Sequence, residues 1–152
     1  MKKAAPENCK ETRIVEFYLA DPVTKQPLDL YSSKVSAGFP SPAESFVERK
    51  LDLNSYLVRH PAATFFVRVS GESMLNAGIQ DGDMLLVDKS LQPTDKKVVI
   101  ASVNGELTVK RIRTLGSAVF LVPENEQYAP IKITEEVDFS VWGVVTTVIH
   151  SV

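Results

Sequence analysis

A mainly β domain is the fold class that this sequence predicts, on three observations. From residue 64 onwards the chain consists of short runs rich in β-branched and aromatic residues, separated by turn residues. Asn104-Gly105, between two such runs, favours a two-residue type I′ hairpin. With 152 residues, 44% of them hydrophobic, the chain can bury one core without disulfides or metals. We therefore expect one domain of short twisted strands, with one or two short helices and a flexible N-terminal arm.

The first 40 residues are the least regular part of the chain. Residues 13–20 can pair as a strand, but four prolines interrupt any longer element. We interpret this segment as a loosely held arm.

A capping box follows the arm. In Ser41-Pro42-Ala43-Glu44 the serine can cap a helix, the proline suits its first position, and the glutamate can reach back to the cap amide. This predicts a short helix with an apolar face of Phe46, Val47 and Leu51. Asp52 can cap a second short helical turn, which Pro61 would stop.

Six strands are predicted beyond Pro61. Turn residues separate them, among them Asp81-Gly82. The predicted strands cover residues 64–69, 84–87, 97–103, 106–113, 118–122 and 140–149.

Composition excludes several functional classes. Lys plus Arg total 17 against 19 for Asp plus Glu, and the net charge of −2 argues against direct DNA binding. Cys9 is the single cysteine, and Asp81, Asp83 and Asp88 have the spacing of turn residues, so no metal site or cofactor is expected. No run of about 18 apolar residues predicts a membrane span, and we expect a cytoplasmic protein.

Ser73 and Lys110 are the candidate catalytic residues. Ser73 follows Gly71 at the end of an apolar strand, where a glycine-permitted turn can expose backbone amides. A serine needs a base, and neither His60 nor His150 lies in a triad context. Lys110 lies among apolar strand residues that would favour its neutral form, although lowering its pKa from about 10.4 to about 7 costs roughly 4 to 5 kcal/mol. From the residues alone, two other interpretations remain open: Ser73 is an ordinary turn residue, and Lys110 points to solvent.

The segments around these two residues resemble those of a known family. Ser70 to Met74 reads Ser-Gly-Glu-Ser-Met, Gly78 to Asp83 follows, and Asn104 to Lys110 reads Asn-Gly-Glu-Leu-Thr-Val-Lys. At these spacings the chain resembles the LexA/UmuD self-cleaving serine-lysine peptidases, most closely the UmuD branch, over about residues 36–150. The resemblance implies that Ser73 is the nucleophile and Lys110 the general base. It also implies an oxyanion hole formed by the backbone amides of Glu72 and Ser73.

The resemblance also implies a cleavage site and partners. Family members are cut at Ala-Gly or Cys-Gly, which here corresponds to Ala37-Gly38. Self-cleavage would remove the arm, residues 1–37, and leave residues 38–152 as a β-rich peptidase and dimerisation domain. In the family, RecA bound to single-stranded DNA stimulates cleavage during the SOS response. The processed homodimer then serves an error-prone translesion polymerase of the UmuC type.

Three other functions agree less well with the sequence. A LexA-like or phage-type repressor needs a helix-turn-helix domain, for which a proline-rich arm of 37 residues has no room. A signal peptidase with the same chemistry needs a membrane anchor. A non-catalytic polymerase-binding subunit would not need both Ser73 and Lys110.

Overall fold

The computed structural model describes residues 10–20, 25–31 and 47–152, with the side chains at 29–31 and 47–49 left aside. Within these ranges the chain forms ten strands, one short α-helix and two 3₁₀ turns. The strands are β1 (Arg13–Leu19), β2 (Pro27–Tyr31), β3 (Val47–Asp52), β4 (Thr64–Ser70), β5 (Met84–Asp88), β6 (Val98–Val103), β7 (Glu106–Leu115), β8 (Ala118–Val122), β9 (Ile131–Ile133) and β10 (Phe139–Ile149). The helix α1 is Leu53–Leu57, and the 3₁₀ turns are Pro61–Ala63 and Leu75–Ala77.

Eight strands form one antiparallel sheet in the order β1-β4-β5-β10-β6-β7-β8-β9, while β2 and β3 form a separate antiparallel pair. Both faces of the large sheet bury apolar residues, because the sheet curls on itself. Along β6, Ile100 lies in one buried cluster while its neighbours Val99 and Ala101 lie in another. Alternate side chains of a strand point to opposite faces, so this strand is covered on both sides. The predicted mainly β fold is confirmed.

All six strands predicted beyond Pro61 are present, with ends shifted by at most two residues. Asn104 and Gly105 both have positive φ, at 50° and 83°, and Val103 pairs with Glu106 across them, as a type I′ turn requires. The sequence pattern missed β9, whose three residues are fewer than the four or more that alternation needs to be detected.

The prediction of a helix through Val47 and Leu51 is wrong. Residues 47–52 form β3, which pairs with β2 from Pro27↔Asp52 to Tyr31↔Val47. The partner strand satisfies the backbone hydrogen bonds, and this tertiary pairing overrides the local helical pattern. The predicted cap at Asp52 is correct, since its carboxylate accepts a hydrogen bond from the Ser55 amide at the start of α1. The capping box at residues 41–44 lies outside the described residues.

The described part of the arm is held more firmly than the sequence suggested. Residues 13–19 form β1, which pairs with β4 from Arg13↔Ser70 to Leu19↔Phe65. The Phe17 ring stacks on the buried Phe65 ring at 4.7 Å between centroids. The sequence predicted the strand but not its place in the main sheet.

Three aspartates near the turns have structural roles, as expected. Asp81 accepts a hydrogen bond from the Gly71 amide at 2.8 Å, and Asp83 accepts one from the Gln80 amide at 2.8 Å. Asp88 accepts from the amide and hydroxyl of Ser90. Burial alone would raise the pKa of Asp88, but hydrogen bonds from Ser90 and His60 outweigh it and hold the pKa below its usual value. Residues 10–20, 25–31 and 47–152 contain no group of three His, Cys, Asp or Glu residues suited to a metal ion.

No helix within the described ranges is long and apolar enough to cross a membrane.

The hairpin at Asn104-Gly105 yields a stability prediction. We expect Gly105→Ala to lower the free energy of unfolding by about 1 kcal/mol, because a Cβ is strained at φ 83° although it would meet no atom within 4 Å. Chemical denaturation measures the change. Glu106→Ala, at the exposed neighbouring position on β7, is the control and should have a smaller effect. Equal values for the two variants would contradict the positive-φ turn.

Candidate active site

The sharp turn that follows β4 carries Ser73. The turn begins at Gly71, whose φ of +110° is a conformation that residues with a Cβ rarely adopt. Met74, fully buried in the core, anchors its far side. A 3₁₀ turn follows and ends at Gly78, which is left-handed with φ 75°. The sequence Gly-Glu-Ser-Met thus places a serine between a flexible residue and a core anchor.

Neighbouring loops fix the orientation of this turn. The Glu124 amide donates to the Ser73 carbonyl at 2.9 Å, and the Asn125 side chain donates to the Glu72 carbonyl at 2.9 Å. Asn76, just beyond Ser73, donates its amide to the Glu124 carbonyl at 2.8 Å. The Glu72 carbonyl shares a planar trans peptide group with the Ser73 amide, so its bond to the loop after β8 directs that amide to the opposite side.

Lys110 reaches Ser73 from the middle of β7. Its side chain is 1% exposed, and its cross-strand neighbour on β6 is the buried Val99. The Lys110 Nζ lies 3.1 Å from the Ser73 Oγ, 2.9 Å from the Thr108 Oγ1 and 3.1 Å from the Val109 carbonyl oxygen. The structure therefore brings together the serine and the lysine that the sequence singled out, 37 positions apart.

Two opposing effects act on the pKa of Lys110. Burial lowers the pKa of Lys110 below its usual value, while the Glu11 carboxylate, which forms an ion pair with the amine, acts to raise it. Burial is the larger effect, since it removes the hydration that favours an ammonium. The amine is thus easier to deprotonate than that of an exposed lysine.

Thr108 is a site residue that the sequence analysis missed. A neutral amine has two hydrogens and one lone pair, and Thr108 Oγ1 with the Val109 carbonyl can accept both hydrogens. The lone pair would then face the Ser73 hydroxyl. Thr108 precedes Lys110 by two positions on one strand, so both side chains lie on one face. That spacing is the signal that could have identified it.

The arm covers this site. The Glu72 amide donates to the Lys10 carbonyl at 2.7 Å, and the Ser73 amide donates to the Thr12 hydroxyl at 3.0 Å. In return, the Thr12 amide donates to the Ser73 Oγ at 3.2 Å. Ser73 is fully buried as a result. The sequence Lys-Glu-Thr at residues 10–12 has no distinguishing pattern that would predict this role. Ala37 and Gly38 lie outside the described residues.

Comparison with known proteins decides the family. A family model described as Peptidase S24-like matches residues 29–146, which is most of the chain. The chain belongs to this Peptidase S24-like family. The match includes both Ser73 and Lys110, and the predicted resemblance to the LexA/UmuD peptidases is confirmed.

Individual S24-like relatives agree. The chain is 46% identical to Protein SamA of Salmonella typhimurium over 80% of its own length and 84% of SamA. It is 42% identical to Protein MucA of Escherichia coli over 78% of its length and 82% of MucA. A LexA repressor from Aliivibrio salmonicida is 40% identical over 92% of this chain and 68% of the repressor. The chain is a self-cleaving serine peptidase of the UmuD-like, SOS-mutagenesis type within the S24-like family.

Burial of the lysine yields a prediction about stability and pH. We expect Lys110→Met to raise the free energy of unfolding at pH 7, because the folded chain loses about 1.36 kcal/mol for each unit by which burial depresses the pKa of Lys110. Below the folded pKa of Lys110 this cost is complete, and it disappears as the pH rises towards the unfolded value of about 10.4. The gain should therefore shrink at high pH.

Denaturant titrations at several pH values test this expectation. Lys132→Met, at an exposed position of β9, is the control and should change stability little at any pH. Glu11 keeps contact with water when its partner is removed, since its side chain is 36% exposed. A Lys110→Met variant that is much less stable than the natural chain at pH 7 would contradict this account.

Proposed function

We propose that Ser73 is the nucleophile and Lys110 the general base in cleavage of the Ala37-Gly38 bond. The observation that carries this proposal is the 3.1 Å contact between the Ser73 Oγ and the buried Lys110 Nζ. Burial also lowers the pKa of Lys110, as a base that works near neutral pH requires. The family to which the chain belongs supplies the reaction class, and this pair supplies groups suited to it.

The reaction would proceed in two stages. Neutral Lys110 takes the proton of Ser73, and the Ser73 oxygen attacks the Ala37 carbonyl carbon. The resulting ammonium gives its proton to the amine of Gly38 as the peptide bond breaks, which leaves Ala37 as an ester on Ser73. Lys110, neutral again, then takes a proton from the water that attacks the ester, and it gives this proton to the Ser73 oxygen as the ester bond breaks. The products are residues 1–37 and 38–152.

The backbone amides of Glu72 and Ser73 are the proposed oxyanion hole. Both amides donate to residues 10–12, so they point to the same side of the turn and can face a charge that develops on the Ala37 oxygen. One donor of this kind contributes about 3 to 4 kcal/mol to the stability of a transition state. In the uncut chain the Lys10 carbonyl and the Thr12 hydroxyl occupy these donors.

The partners follow from the family. We propose that the protein acts in the cytoplasm as a homodimer and that RecA filaments on single-stranded DNA stimulate its cleavage. The processed dimer would then serve an error-prone polymerase of the UmuC type. A RecA effect requires that the filament bind a cleavage-competent arrangement better than the resting one.

Two alternatives are less well supported. A LexA-like repressor function is disfavoured because the chain matches 84% of SamA at 46% identity, against 68% of the LexA repressor at 40% identity. A non-catalytic polymerase-binding subunit would gain nothing from a buried lysine beside a serine. Burial of a cation costs free energy that an apolar side chain at position 110 would not.

Intact-mass analysis of the purified chain tests the proposal. We expect fragments that meet at Ala37/Gly38, formed faster at about pH 10 than at pH 7, because the amine acts only when deprotonated. RecA filaments with nucleotide should accelerate the cut at neutral pH.

Ser73→Ala and Lys110→Met should each abolish the fragments, whereas Ser117→Ala, at an exposed turn, should not. An uncut natural chain at both pH values, with and without RecA filaments, would refute the peptidase role. Cleavage that survives Ser73→Ala would refute the assignment of the nucleophile.

A further inference from the structure

We propose that Lys10, Glu11 and Thr12 form an autoinhibitory latch that occupies the active site as a substrate strand would. This inference rests on the proposed function of Ser73 and Lys110. The latch must leave before the Ala37-Gly38 bond, or any other peptide, can enter.

The latch binds both candidate oxyanion donors. The Lys10 carbonyl oxygen lies 2.7 Å from the Glu72 amide nitrogen, and the Thr12 hydroxyl lies 3.0 Å from the Ser73 amide nitrogen. A scissile carbonyl needs these same amides. Since each amide has one hydrogen, the latch and a substrate compete for them.

The latch also contacts the two proposed reacting groups, the Lys110 amine and the Ser73 hydroxyl. The Glu11 carboxylate pairs with the Lys110 amine and stabilises its ammonium form, which cannot accept a proton. Glu11 is the charged group that shifts the pKa of Lys110. The adjacent Arg111 pairs with Glu124, and Lys110 otherwise faces hydroxyls and a carbonyl. The Thr12 amide meanwhile donates to the Ser73 Oγ at 3.2 Å, on the nucleophilic atom itself.

The latch packs closely against the turn that begins at Gly71. A Cβ on Gly71 would lie 2.2 Å from the Glu11 carbonyl oxygen and 2.6 Å from the Lys10 carbonyl oxygen. The arm can pass this closely only because residue 71 is glycine. Directly after the latch the chain enters β1, which continues along β4 and holds the segment in register. The latch is therefore an extension of strand pairing into the active site.

The latch implies a two-state switch. In the closed state residues 10–12 bury Ser73 and Glu11 favours the ammonium form of Lys110, and in the open state both effects are lost. Any factor that binds the open state better, including a stimulating filament, accelerates cleavage by shifting this equilibrium. Cleavage would remove the latch together with residues 1–37.

Charge reversal within β1 and the latch provides the test. Glu11→Lys replaces the attraction to Lys110 by a repulsion, and Thr12→Val removes the hydroxyl that binds the Ser73 amide. Glu16→Lys is the matched control, because it changes the charge of the same arm by the same amount. Glu16 does not contact Lys110 but pairs with Arg68 on the surface, at 2.7 Å.

Hydrogen exchange of the Glu72 and Ser73 amides is the first readout, measured on the full uncut chain at about pH 6, where a protonated amine suppresses cleavage. We expect Glu11→Lys to accelerate this exchange about tenfold or more, since these amides lose their acceptors when the latch opens. The pH profile of self-cleavage is the second readout. Each unit by which the midpoint falls corresponds to a tenfold larger neutral fraction of Lys110 at lower pH.

The outcomes separate the latch from the proposed function. Faster amide exchange and faster cleavage at pH 7 in Glu11→Lys, but not in Glu16→Lys, support both. Faster exchange without cleavage of any variant supports the latch and refutes the peptidase assignment. Exchange in Glu11→Lys that equals exchange in the natural chain overturns the latch, whatever the cleavage rates.

Discussion

The burial of one lysine amine is the constraint on which the proposed active site depends. An exposed lysine beside Ser73 would remain an ammonium at neutral pH and could not act as a base. At Lys110 the strands exclude water, while Thr108 and the Val109 carbonyl accept hydrogen bonds that hold the amine beside the serine. The sheet that carries Lys110 is buried on both faces. The core around β6 and β7 therefore also sets the environment of the lysine amine.

The site is assembled from three distant parts of the chain. The turn that carries Ser73 follows β4, Lys110 lies on β7, and residues 10–12, which cover the site, precede β1. The links between them include one ion pair, hydrogen bonds to the two turn amides, a hydrogen bond from the Thr12 amide to the Ser73 Oγ, and the contact between Ser73 and Lys110. The same amine thus experiences two opposing influences, since burial favours its neutral form and Glu11 favours its charged form. A chain that cuts itself needs such an opposition, because an unrestrained site would act as soon as it folded.

The sequence predicted those features that local patterns determine. Runs of β-branched residues predicted the strands from Thr64 to Ile149, and Asn104-Gly105 predicted its turn, because side-chain alternation and positive φ are local properties. Motifs at family spacing singled out Ser73 and Lys110. Two features could not be read locally. Residues 47–52 form a strand because β2 pairs with them, although their own pattern favoured a helix. Residues 10–12 acquire their importance from what lies across from them, and no pattern within Lys-Glu-Thr signals a contact 61 positions away.

The position of β1 has a consequence for the shape that would remain after self-cleavage. In the uncut chain β4 is an inner strand, with β1 on one side and β5 on the other. Loss of residues 1–37 would turn β4 into an edge strand with a row of unpaired backbone donors and acceptors. The Phe65 ring would no longer be covered by Phe17. Another extended segment can pair with such an exposed edge strand through backbone hydrogen bonds. Removal of the arm would therefore create a binding surface in the same event that frees the catalytic groups.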